Sequence, residues 1–144
     1  MLSDYLGNKI QFLDRVTSWE ESLRISAQPL LENGFVQESY IEAIVDNVIQ
    51  NGNYIILLPE IAMPHARREY GAIRTGLSFL SVKEPVLFPG NTPVRLFFAL
   101  SAETDDGHLE LLSELADLLM DDTIVEQLKS ATSADQVLDM ISGG

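Results

Sequence analysis

The chain has 144 residues, 46% of them hydrophobic, with a formal net charge of −13 and no cysteine. That length suits one compact domain spanning 1–144 with its own core, and falls short of two typical ones. The acidity argues against nucleic acid and anionic membrane surfaces and for partners with basic contact faces. The absent thiols exclude disulfides, thiolate metal sites and cysteine nucleophiles, so any cysteine chemistry belongs to a partner. No apolar run approaches the roughly 18 residues that span a bilayer, and Met1 to Tyr5 lack the basic and apolar regions of a signal peptide. The expectation is a soluble, cytoplasmic protein without direct membrane insertion.

Residues 1–16 are weakly patterned, with a short edge strand over Ile10 to Leu13. Thr17 to Glu20 and Ser18 to Glu21 are overlapping capping-box spacings that open a helix with apolar positions at Trp19, Leu23, Ala27, Leu30 and Leu31, ended by Asn33-Gly34. Pro29 inside it forfeits the bond to residue 25 and is expected to kink or tighten the last turns. A second helix runs from about Glu38 to Gln50, because Ile41, Ile44, Val45, Val48 and Ile49 share a face, and Asn51-Gly52 stops it. Residues 54–58, Tyr-Ile-Ile-Leu-Leu, read as a buried strand closed by Pro59. Further strands are expected over 74–82 and 94–100, with a short edge strand and turn around Val86 to Phe88 among several prolines. A helix follows from about Asp106 to Met120, and two shorter ones close the chain, around Ile124 to Lys129 and from the Ser133 to Gln136 capping box to Gly143. The predicted fold is a three-layer α/β domain with a mixed sheet of four or five strands and helices on both faces.

The chemistry concentrates at Ile61-Ala62-Met63-Pro64-His65-Ala66-Arg67-Arg68. Pro64 fixes its own φ and biases Met63 towards extended geometry, so the imidazole of His65 sits on stiff backbone. Arg67, Arg68 and Arg74 lie within ten positions of it, a local reversal of sign that suits a dianion. A neutral ring nitrogen is nucleophilic near neutral pH, and the phosphoramidate it forms is a good phosphoryl donor. The other nitrogen needs a hydrogen bond to fix the tautomer, with a backbone carbonyl of the Pro64 turn as the expected acceptor. The second histidine, His108, precedes Leu112, Leu115 and Leu119 at spacings of four, three and four, which puts it on the inward face of its helix at the first turn. There the free amides and the helix dipole favour an anion.

The segment Ala62-Met63-Pro64-His65-Ala66-Arg67, together with Asp106-Gly107-His108-Leu109-Glu110-Leu111-Leu112-Ser113-Glu114-Leu115, resembles the IIA component of the sugar phosphotransferase system, mannitol/fructose type, most of all its cryptic-mannitol and ascorbate branches. The resemblance covers essentially the whole chain. It implies that His65 accepts phosphate from the phosphocarrier HPr and passes it to a cysteine of a cognate IIB, which serves a membrane IIC. His108 would stabilise the phosphoryl group, Arg67 and Arg68 would bind it, and Glu60, Asp105 and Asp106 would meet basic partners. Mannitol IIA proteins carry an arginine in the helix before the strand, where this chain has Asn47; anion binding then falls to other groups, such as Arg67. Positioning and charge stabilisation suffice for such a transfer, so neither cofactor nor metal is expected. Two other readings stay open: a regulatory module that only displays a phosphohistidine, and a metal-dependent hydrolase using His65, His108, Asp105 and Asp106. The latter lacks the short paired-histidine spacing of helical metal sites, and the arginines oppose a cation.

Overall fold

The structure, a computed structural model, describes residues 2–142. In chain order it contains α1 (Leu2–Leu6), β1 (Ile10–Leu13), α2 (Trp19–Glu32), α3 (Glu38–Asn51), β2 (Glu60–Ala62), a 3₁₀ turn (Arg68–Tyr70), β3 (Gly76–Phe88), β4 (Thr92–Ser101), α4 (Asp105–Leu119), α5 (Asp122–Ser130) and α6 (Ala134–Ser142). The four strands form one mixed sheet in the order β1-β3-β4-β2, in which the β3–β4 pair is antiparallel and both edge pairs are parallel.

Period-two alternation sends each strand's side chains to two cores. Leu80, Val82, Val94, Phe97 and Ala99 pack with α2 and α3 on one face. Leu77, Phe79, Leu96, Phe98 and Leu100 pack with α1, α4, α5 and α6 on the other. The three-layer expectation holds, and strands covered on both sides explain why 76–82 and 94–100 read as nearly unbroken apolar runs.

Three local readings need correction. Residues 54–58 form no strand: the chain turns there, Leu58 makes an isolated bridge to Ile61, and Leu57 is 56% exposed. The strand beside β4 is instead Glu60–Ala62, entered through Glu60 at φ 65. A short apolar run does not reveal its periodicity, and here Ile55 alone dives fully into the core. The separate edge strand at 86–88 is the continuation of β3 past an irregularity between Ser81 and Val86. Pro85 is tolerated in it because it falls inside that irregularity, where β3 and β4 are out of register and no ladder bond needs its missing N–H. The five-residue α1 went unread; Leu2 and Leu6, one turn apart, anchor it to the second core.

Pro29 neither breaks nor visibly ends α2, which runs on to Glu32. The carbonyl of Ile25, deprived of its donor by Pro29, receives the Gln11 side-chain N–H from β1 at 2.8 Å. The next carbonyl, Ser26, accepts the buried Ser78 hydroxyl of β3. The proline defect thus becomes the seam that joins α2 to the sheet. Gln11→Ala should lower stability by about 1–2 kcal/mol by leaving the Ile25 carbonyl unpaired, measured by urea unfolding. In a Pro29→Ala background, where the helix supplies its own donor, the same change should cost much less; equal costs in the two backgrounds would refute the coupling.

Candidate functional site

The residues after β2 are fixed by main-chain bonds before any side chain acts. The Met63 N–H donates to Ile55 O at 2.9 Å, and Leu100 N–H of β4 donates to Pro64 O at 3.0 Å. The buried Tyr40 phenol of α3 donates to Leu100 O at 2.7 Å and accepts the Ala66 N–H at 3.2 Å. One hydroxyl therefore ties the far end of β4 to the chain just beyond His65. Burial pushes the Tyr40 hydroxyl's pKa up, so it stays a protonated donor. On the other side, the Tyr54 hydroxyl donates to His65 O and also hydrogen-bonds the Asn47 side chain.

The ring of His65 is half-buried, and its Nδ1 lies 2.5 Å from Met63 O. A carbonyl can only accept, so Nδ1 carries the proton and Nε2 keeps its lone pair. The carbonyl comes from the Pro64 turn, as the sequence indicated. Burial holds the His65 pKa below its ordinary value of 6.5; the bond to Met63 opposes this, and His108 adds to it. Tyr54 stands edge-on to the ring, with centroids 5.4 Å apart.

His108 approaches from α4. Thr104 caps that helix, its hydroxyl accepting Gly107 N–H at 3.0 Å and its carbonyl accepting His108 N–H at 3.0 Å. The helix buries Leu111, Leu115 and Leu119, and the half-buried His108 continues that face at the rim. The two imidazole centroids are 5.1 Å apart at 68°, so the chain's two histidines meet across 43 residues of sequence. Burial lowers the His108 pKa too, against an upward pull from Asp105. The first-turn amides are less available to an anion than the sequence implied, because Thr104 takes one and Asp105 and Asp106 place carboxylates there.

Both rings open onto a cleft of ≈ 470 Å³ whose lining includes Asn47, Tyr54, Arg68, Asp105 and Leu109. Arg68 Nε donates to Asp105 Oδ1 at 3.0 Å, joining the 3₁₀ turn to the start of α4. Arg67 also lines the cleft, but it is 77% exposed and paired with Glu69 at 2.8 Å. Arg74 does not join them, since its guanidinium stacks on Phe35 at 4.7 Å. Asp106 is exposed beside Asp105, outside the lining. Glu60 sits at the opposite end of β2, away from this cleft, and binds Lys129 at 2.9 Å. Among the described residues, no group of three or more His, Asp or Glu is arranged to hold a metal ion, which leaves the hydrolase reading without a donor set. No described helix is long and apolar enough to cross a membrane.

Tyr40 and Tyr54 were missed by sequence reasoning, and Asn47 was noted only as the place of an absent arginine. Tyr54 was absorbed into a presumed strand, and Tyr40 carried no signal beyond an aromatic on an amphipathic helix. Asn47, where the resemblance has arginine, supplies a hydrogen bond to Tyr54 and no charge.

The sequence model of the family described as phosphoenolpyruvate-dependent sugar phosphotransferase system, EIIA 2, matches residues 6–143. The mannitol-specific cryptic phosphotransferase enzyme IIA component of Escherichia coli (strain K12) is 42% identical, over 99% of this chain and 99% of its own. The ascorbate-specific EIIA component of Salmonella choleraesuis (strain SC-B67) is 31% identical, over 94% and 90%. A solution structure of the mannitol-specific cryptic enzyme IIA from Escherichia coli superposes with a TM-score of 0.93 at 42% identity, covering 99% of each chain. The Escherichia coli mannitol enzyme IIA, solved in complex with phosphorylated enzyme IIB, superposes with 0.83 at 28%, covering 96% and 98%.

Because burial favours the neutral ring, both histidines should titrate below 6.5 in ¹⁵N-edited NMR, with His65 protonated at Nδ1 alone above that midpoint. The unfolded chain takes up these protons near 6.5 and the folded chain only at lower pH, so stability should fall as pH drops below about 6.5. A His65 midpoint above 6.5, or a proton on Nε2, would contradict this geometry.

Proposed function

The chain belongs to the phosphoenolpyruvate-dependent sugar phosphotransferase system EIIA 2 family and is a phosphotransferase component; from that premise we propose that Nε2 of His65 is its phosphoryl acceptor. The observation that carries this is the Nδ1–H bond to Met63 O, which leaves Nε2 unprotonated in an open cleft beside a second imidazole.

The lone pair of Nε2 attacks the phosphorus of a phosphohistidine on HPr. The new N–P bond forms as the donor's N–P bond breaks, and that electron pair returns to the donor ring. Nδ1 keeps its proton throughout. The ring gains positive charge on phosphorylation, so the bond to Met63 O strengthens and holds the phosphoramidate in a good leaving state. In the onward step, the thiolate of a cysteine on the cognate IIB forms the S–P bond and the pair returns to Nε2. The mannitol IIA structure with phosphorylated IIB supports this direction of docking.

His108 donates a ring N–H to the phosphoryl oxygens from the adjacent position. Arg68 is the cation already in the cleft, and exchanging Asp105 for the phosphoryl group brings its fork to the dianion. Arg67 adds charge at the rim. Asp105 and Asp106 then face the basic surfaces of HPr or IIB. The component acts in the cytoplasm, and through IIB and IIC it drives uptake of a mannitol-like or ascorbate-like substrate, as the names of its relatives suggest.

The test supplies phosphoenolpyruvate, the enzyme that passes its phosphoryl group to the histidine of HPr, HPr itself and a cognate IIB. Wild-type protein should take up label and pass it to IIB. His65→Ala should take up none. His108→Ala should accept label and release it to IIB roughly 10²-fold more slowly. Labelling of His65→Ala would overturn the assignment, and loss of acceptor activity in His108→Ala alone would reverse the roles. Label held by the wild type without onward transfer would make the chain a regulatory module.

A further inference from the structure

At the other end of the sheet, the side chains of Phe12, Ser81, Lys83, Arg95, Lys129 and Thr132 line a second cavity of ≈ 400 Å³. It is bounded by the end of β1, the middle of β3, the start of β4 and the α5–α6 corner. Lys83, Arg95 and Lys129 are three of only nine basic residues in a chain with 22 acidic ones. Such convergence in an acidic protein is a local reversal of potential. Asp14 is the one carboxylate in the lining, and Lys129 is already neutralised by Glu60 at 2.9 Å and Glu126 at 3.6 Å. Arg95 and Lys83 are different: among the described residues, neither pairs with a carboxylate.

Arg95 is also held in place. Its Nε donates to Val82 O at 3.3 Å and one Nη to Lys129 O at 3.5 Å, which leaves the remaining guanidinium N–H groups for the cavity. Beside it lies Ser81, only 6% exposed, whose hydroxyl makes no hydrogen bond among the described residues. Its hydroxyl is therefore free to donate into the cavity. An immobilised fork, a point charge and a free hydroxyl converging on one cavity suit a compact tetrahedral anion. Phe12, Leu13 and Ala131 supply apolar wall, and the volume exceeds a bare oxyanion's needs and falls within the usual range for small organic ligands.

We propose that this cavity is a second anion site, distinct from the His65 cleft, which binds the phosphate monoester of a small organic molecule through Arg95, Lys83 and Ser81. Nothing in it depends on His65 chemistry, so it stands or falls separately from the transfer function.

The test is a site-resolved ¹H–¹⁵N NMR titration with glycerol 3-phosphate, inorganic phosphate and glycerol. Glycerol 3-phosphate should give saturable shifts at the amides of Leu13, Ser81, Lys83 and Ser130 with a roughly millimolar dissociation constant. Inorganic phosphate should bind the same amides more weakly, and glycerol should not move them. Lys83→Ser, at an exposed position, and Arg95→Met should each weaken glycerol 3-phosphate about tenfold, through loss of a charge-assisted contact. Absence of saturable shifts at these amides, unchanged affinity in either variant, or equal shifts with glycerol would overturn the site.

Discussion

The hydrogen bond between Nδ1 of His65 and the carbonyl of Met63, two residues earlier, decides which nitrogen of the ring keeps its lone pair. That bond forms only because the chain between them is stiff. Pro64 fixes φ at the intervening residue, and Pro64's own carbonyl is pinned to Leu100 of β4. Tyr40 then clamps Leu100 and Ala66 together, and Tyr54 holds the carbonyl of His65 itself. The two-layered core of the sheet fixes the ends of this frame, so a local tautomer preference inherits the rigidity of the whole fold. An imidazole held this way has little orientational freedom left to lose.

Electrostatics completes the site by opposing tendencies. Burial depresses both imidazole pKa values and favours the uncharged rings, while the single hydrogen bond from His65 to Met63 pulls the other way and loses. At a centroid distance of 5.1 Å, His108 also disfavours protonation of His65. In the proposed phosphorylated state the balance reverses. A dianion on His65 would favour every nearby positive group, and Arg68, held at rest by Asp105, lines the same cleft. The same carboxylate therefore restrains Arg68 at rest and nudges His108 towards its protonated form.

The layered α/β plan was legible because strands covered on both faces leave long apolar runs, and because helices announce themselves through caps such as Ser18 and Ser133. His65 and His108 stood out in the sequence as candidates, and the structure brings their ring centroids to 5.1 Å. The run at 54–58 misled because its composition is strand-like, yet only Ile55 is fully buried, and the turn it makes serves to deliver Tyr54 to His65. Arg74 illustrates another limit: proximity in sequence gathered three arginines, but the ring of Phe35 captures one of them on its far side. The roles of Tyr40 and Gln11 were invisible because each completes a backbone group 14 or more positions away. Such partners appear only when the fold brings distant carbonyls and amides together.

The most direct measurement is the long-range ¹⁵N–³¹P coupling pattern of the phosphorylated protein, which identifies the ring nitrogen bonded to phosphorus. The geometry of the Met63 carbonyl predicts phosphorus on Nε2 of residue 65, with a proton retained on Nδ1. Phosphorus on Nδ1, or on either nitrogen of residue 108, would contradict the account.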